Sequence, residues 1–121
     1  NGFDLKRYAT SPTARLKEED YVVMITHTPD YTEDADIAHT DLALAGHTHG
    51  GQVTLFGLIV PETGSKYGRR FLTGLNHNTQ GIPVITSNGL GTSRKNIRTG
   101  ARSDVIVVTL KKAETKKEER E

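Results

Sequence analysis

Three of the five histidines stand directly behind short apolar runs. His27 follows Tyr21-Val22-Val23-Met24-Ile25-Thr26, and His47 and His49 follow Asp41-Leu42-Ala43-Leu44-Ala45. Neutral imidazole is a good ligand for zinc, iron, manganese or nickel, so a cysteine-free chain can still build a metal site. In Gly46-His47-Thr48-His49-Gly50-Gly51-Gln52, alternate side chains of an extended segment would fall on one side, about 6.5 to 7 Å apart. That spacing is wide for one ion and comfortable for two ions about 3.5 to 4 Å apart. Three glycines let the backbone bend and approach charged groups without a Cβ clash.

The elements that must position these histidines are strands. Residues 21–26 and 41–45 are continuous apolar runs of the kind buried on both faces of a sheet. Between them, residues 30–38 carry cap residues and early acids suited to a short helix. The connector, residues 28–40, is long enough for a parallel crossover, which would bring His27 and His47 to the same carboxyl edge of the sheet. Open α/β sheets bind ligands at that edge. Residues 53–60, 67–72, 82–86 and 105–110 read as further strands separated by Gly, Pro, Asn and Ser clusters, in mostly antiparallel or mixed pairing. One weak helical stretch lies at residues 14–19. His39 and His77 lack a strand-end context and read as surface residues, and Tyr67 reads as a strand aromatic packing on the core or lining a cleft.

Composition narrows the classes. The 121 residues allow one folded unit with a small core, 34% hydrophobic and only 6% aromatic with no Trp. Sixteen basic against 15 acidic residues give a net charge of +1, which favours neither nucleic acid nor an acidic ligand in bulk. No apolar run approaches the roughly 20 residues of a membrane-spanning helix. Residues 111–121 hold five bases and four acids, leaving 11 of each in residues 1–110 (16 less 5, 15 less 4). The organisation is therefore one unit over residues 1–110 and a charged, disordered tail over 111–121. The opening Asn1-Gly2-Phe3 has neither an initiator Met nor a signal pattern, so further chain is expected upstream, and localisation is open between cytoplasmic and membrane-associated.

Two families with an H-x-H segment do not fit. A cupin would place a Glu where Val53 or Thr54 stands, and a metallo-β-lactamase-type site would continue with Asp and His where Gly51 and Gln52 stand. The pattern instead resembles the calcineurin-like metallophosphoesterases. Ile25-Thr26-His27-Thr28-Pro29 is similar to that family's late His motif, and Leu44-Ala45-Gly46-His47-Thr48-His49 to its closing G-H-x-H motif. Gly50-Gly51-Gln52, Tyr67-Gly68 and Ser87-Asn88-Gly89-Leu90-Gly91-Thr92-Ser93 resemble the bacterial phosphodiesterase branch.

The resemblance covers residues 21–110 and implies the C-terminal half of an α/β (α+β) fold, a four-layer αββα sandwich with a mixed β-sheet and few helices. It implies metal-dependent hydrolysis of phosphate mono- or diesters by a binuclear centre with two divalent ions, manganese ahead of iron or zinc. His27 and His47 would bind one ion and His49 the other. The family's earlier D-x-H, G-D and G-N-H-[DE] motifs, which supply the remaining ligands and the general-acid histidine, do not occur here, and Asn1-Gly2-Phe3-Asp4 does not replace them. The expected partners are a phosphate ester and the missing N-terminal half, or another copy that covers the open strand edges. Alone, the chain is expected to be nearly inactive and unstable or self-associating.

The basic stretch 93–102 holds Arg94, Lys95, Arg98 and Arg102 and no acid. Arg94 and Arg98, with Asn88 before them, are candidate substrate-phosphate contacts, although Asn88 also suits a turn and Arg98 could support the loop backbone. Two rivals remain: a nonenzymatic anion or RNA binder using loop 93–102, whose binding would weaken with salt and ignore chelation, and a single zinc ion held by His27, His47 and His49.

Overall fold

The computed structural model describes residues 15–113. The N-terminal residues 1–14, the start of the anticipated helical stretch at residue 14, and tail residues 114–121 lie outside that range.

Four short strands form one mixed sheet: β1 (Val23–Ile25), β2 (Leu42–Ala45), β3 (Gly74–His77) and β4 (Pro83–Thr86), in the order β1-β2-β4-β3. β1 and β2 are parallel, as the crossover length allows, with Val23 opposite Leu42 and Ile25 opposite Leu44. β2 and β4 are also parallel, and β3 closes the sheet antiparallel to β4. The crossover contains a helix, α1 (Tyr31–Asp34), which ends four residues short of the expected span. It stops where Ala35 turns to extended backbone (ψ 150°).

Period-2 alternation gives the sheet two unlike faces. On one face, Met24, Ala43 and Val84 are buried with Ile37 and Phe71, both 0% exposed, and with Ala35. On the other, register places Ile25, Leu44, Ile85 and Leu75 in one row across all four strands. Leu44 and Ile85 line a groove with Val105, Ile106 and Val108, whereas Ile25 (81% exposed) and Leu75 (62%) remain open.

Three anticipated strands are not strands. Residues 53–60 form only isolated bridges, among them Val53 with Thr99 and Leu55 with Ile59. Residues 67–72 are turns, because Phe71 is drawn into the core where Tyr67 meets it edge-on at 5.9 Å, and the ladder begins later at Gly74. Residues 105–110 alternate in exposure but pair with no strand among the described residues. His77 is the last residue of β3, so it does have a strand context, and both it and His39 are exposed.

Glu33 ties α1 to the β3–β4 turn: its carboxylate accepts from the Thr79 N–H (3.1 Å) and hydroxyl (2.9 Å), and pairs with Arg70. Burial alone would raise its pKa, but the Thr79 hydrogen bonds and the Arg70 charge outweigh it and hold the carboxyl below its usual value. No helix among the described residues is long and apolar enough to cross a membrane.

Candidate metal centre

The parallel strands β1, β2 and β4 all end at one sheet edge, and the chain leaving each carries a candidate residue: His27, His47 and Asn88. The ladders continue just past the strands and fix these exits. Thr26 N–H donates to Leu44 O (3.0 Å), Gly46 N–H to His27 O (3.1 Å) and Ser87 N–H to Ala45 O (2.9 Å).

His27 Nε2 lies 3.0 Å from His47 Nδ1, with the rings edge-to-face. Twenty residues of sequence separation are thereby closed. Two ligand nitrogens about 2.1 Å from one tetrahedral ion stand about 3.4 Å apart, so the 3.0 Å approach is a hydrogen-bond distance that a shared ion would open by a few tenths of an ångström.

The Gly46–Gln52 stretch is not extended. His47 (φ 73°), His49 (50°), Gly50 (61°), Gly51 (83°) and Gln52 (53°) all have left-handed backbone, so the side-chain alternation expected of an extended segment does not apply. His47 sits inside a three-residue turn closed by Thr48 N–H to Gly46 O at 2.9 Å, and His49–Gly51 form a 3-10 turn. Left-handed backbone costs a non-glycine residue about 1 to 2 kcal/mol, so neighbouring contacts must hold it. The Thr48 hydroxyl donates to Leu72 O at 2.7 Å, and Gln52 N–H to His49 O at 2.9 Å. His49 Nδ1 is buried with no hydrogen-bond partner, an exception to the usual pairing of buried polar atoms.

Among the described residues, no three His, Cys, Asp or Glu side chains converge on one point. A single zinc ion held by all three histidines is therefore not built here. The donor set fits a partial site: one facing pair and one separate, unsatisfied imidazole.

Asn88 packs on the histidine turn. A Cβ on Gly50 would lie 2.7 Å from Asn88 Oδ1, so only glycine allows this approach. Asn88 Nδ2 donates to Arg102 O (2.8 Å), and Asp104 Oδ1 accepts from both Asn88 N–H (2.9 Å) and the Ser87 hydroxyl (2.6 Å). Arg94 pairs with Glu62 at 3.0 Å on the surface. Arg98 is half-buried, and its guanidinium donates to backbone carbonyls of His49, Ala101, Asn88 and Gly91. Gln52 binds the same loop at Ser93 and Lys95.

Sequence reading missed Gly64, where a Cβ would come 3.6 Å from His47 Nε2, on a loop anchored by Asp30 and Asp34 to Ser65, Lys66 and Tyr67. Burial, with the Asp34 carboxylate beside it, pushes the Tyr67 hydroxyl up from its ordinary pKa. It also missed Asp104. Neither carries a local signal, because each acts on a partner distant in sequence.

No protein-family model and no solved structure matches the chain. Several curated relatives do. YkuE of Bacillus subtilis, named an uncharacterized metallophosphoesterase, is 31% identical over 100 residues, 81% of this chain and 34% of that protein. A protein of the same description from Aquifex aeolicus is 33% identical over 91 residues, 75% of this chain and 33% of that protein. Cj0846 of Campylobacter jejuni, also so described, is 32% identical over 89 residues, 74% and 22%. The chain thus spans about a third or less of the length of these relatives.

Proposed function

The chain belongs, over the region it spans, to the metallophosphoesterases, and from that premise we propose that it supplies the late histidine ligands of a binuclear centre that hydrolyses phosphate esters. His27 and His47 would hold one ion and His49 the second. The observation that carries this reading is the 3.0 Å approach of His27 Nε2 to His47 Nδ1 at the carboxyl edge of parallel strands. Bound divalent ions, manganese by preference, supply charge that neutralises the phosphoryl oxygens and acidity that makes water a nucleophile.

The chain's own residues orient and hold. Left-handed turns at His47 and His49 aim the two imidazoles from one short segment. Gly64 lies beside His47, and Arg94, exposed and paired with Glu62, would exchange that carboxylate for a substrate phosphate.

The remaining ligands and the general acid belong to polypeptide of the kind that fills the rest of the relatives' length. The row Ile25, Leu44, Ile85 and Leu75 supports a second sheet on that face, in a four-layer sandwich of the calcineurin-like kind. Aryl phosphodiester hydrolysis by a longer polypeptide carrying this region should require a divalent ion and collapse in His47→Ala or His49→Ala, with little activity in the 121-residue chain. Full activity in metal-free buffer, with salt-sensitive anion binding through loop 93–102, would favour the nonenzymatic reading instead.

A further inference from the structure

We infer that Arg98 is a positioning residue for His49, acting through the backbone rather than on substrate; this deepens the reading of His49 as a metal ligand and rests on it. His49 holds left-handed backbone at φ 50° at the start of four consecutive residues of positive φ, His49 to Gln52. Conformations of this kind persist only where surrounding contacts over-determine them. Within the turn, Gln52 N–H reaches the His49 carbonyl at 2.9 Å, and from outside it Arg98 Nη1 reaches the same oxygen at 3.2 Å.

The same guanidinium spans the loop that follows β4. Nη1 also donates to Ala101 O and Nη2 to Asn88 O, both at 3.2 Å, and Nη2 to Gly91 O. One rigid, planar fork thus pins the His49 peptide to residues 88, 91 and 101 together. Asn88 in turn rests against Gly50, the next residue after His49. The clamp therefore bears on the peptide of His49, whose Nδ1 is buried without a partner, and among the described residues Arg98 makes no hydrogen bond to His27 or His47. Lysine cannot reproduce the fork, because its ammonium is a single point donor on a flexible stem.

The test follows the histidine ring nitrogens by NMR during Zn²⁺ titration of the protein and its Arg98→Lys, Arg98→Ala and Lys95→Ala forms, with hydrogen exchange at the Gln52 amide measured without metal. Removing a group that orients a ligand typically weakens metal affinity about 10- to 100-fold. Arg98→Ala should weaken the His49 response by that factor, leave the His27–His47 response within about twofold, and speed Gln52 exchange; Arg98→Lys should recover part of the loss. Lys95→Ala removes the same charge from the same loop and should change nothing. Equal losses at all three histidines, or none, in Arg98→Ala would overturn the inference. If His49 never responds in the unsubstituted protein, the ligand reading itself is wrong, whereas an unchanged Gln52 exchange rate in Arg98→Ala refutes the clamp alone.

Discussion

Gly50→Ala tests the packing of the histidine turn most sharply. The substitution has two separable costs. Alanine at φ 61° pays left-handed strain of about 1 to 2 kcal/mol. The new methyl would also lie 2.7 Å from Asn88 Oδ1 and 2.8 Å from its Cγ, too close for any relaxed contact. Swinging the Asn88 amide away would break its Nδ2 bond to Arg102 O. Overpacking of this kind adds about 1 to 3 kcal/mol, giving a total of about 2 to 5 kcal/mol. Gly57→Ala is the control: φ is 71° but no atom lies within 4 Å of its Cβ, so only strain applies. The assay is urea unfolding of the single variants and of the Gly50→Ala/Asn88→Ala pair. The second substitution removes the obstructing amide, so the cycle should show about 1 to 2 kcal/mol of favourable coupling. A Gly50→Ala loss no larger than that of Gly57→Ala, with zero coupling to Asn88→Ala, would refute the close approach of the two loops.

Two further outcomes follow from the fold. Glu33 has a lowered pKa, so its contribution is complete above the unfolded carboxylate value and is lost as pH falls through the lower folded value. Glu33→Gln should therefore cost about 1 to 3 kcal/mol near neutrality and progressively less below about pH 4.3, read from urea midpoints of both forms against pH; a constant difference across that range contradicts the assignment. Phe71→Ala removes a fully buried ring held between Tyr67 and the Arg70 guanidinium, and should cost about 3 to 5 kcal/mol in the same assay. A loss below 1 kcal/mol would mean Phe71 is not the core anchor.

What was legible in sequence was the part governed by local pattern. Continuous apolar runs marked β1, β2 and β4, and the crossover length marked the parallel pairing that brings His27 to His47. The rest depends on distant contacts. Tyr67 and Phe71 have the composition of a strand, but burying Phe71 against α1 and the sheet bends residues 67–72 into turns. Gly46–Gln52 contains an alternation that suggests extension, yet bonds from Thr48 to Leu72 and from Arg98 to His49, 24 and 49 residues away, hold it in left-handed turns. Arg98 was readable as either a phosphate contact or a loop support, and its bonds to the carbonyls of His49, Asn88, Gly91 and Ala101 are the loop support. Residues 105–110 are a nearly continuous apolar run whose exposure alternates, yet they pair with no strand among the described residues.

The central claim is that His27 and His47 share one metal ion. It is tested most directly by ¹⁵N NMR of the imidazole rings as Zn²⁺ is added, with His39 and His77 as exposed controls on the same molecule. His27 Nε2 and His47 Nδ1 should shift together at one stoichiometric step, His39 and His77 should stay unchanged, and His27→Ala should abolish the response at His47. Independent titration of His27 and His47, or a response at His39 and His77 of equal size, would contradict the shared ion.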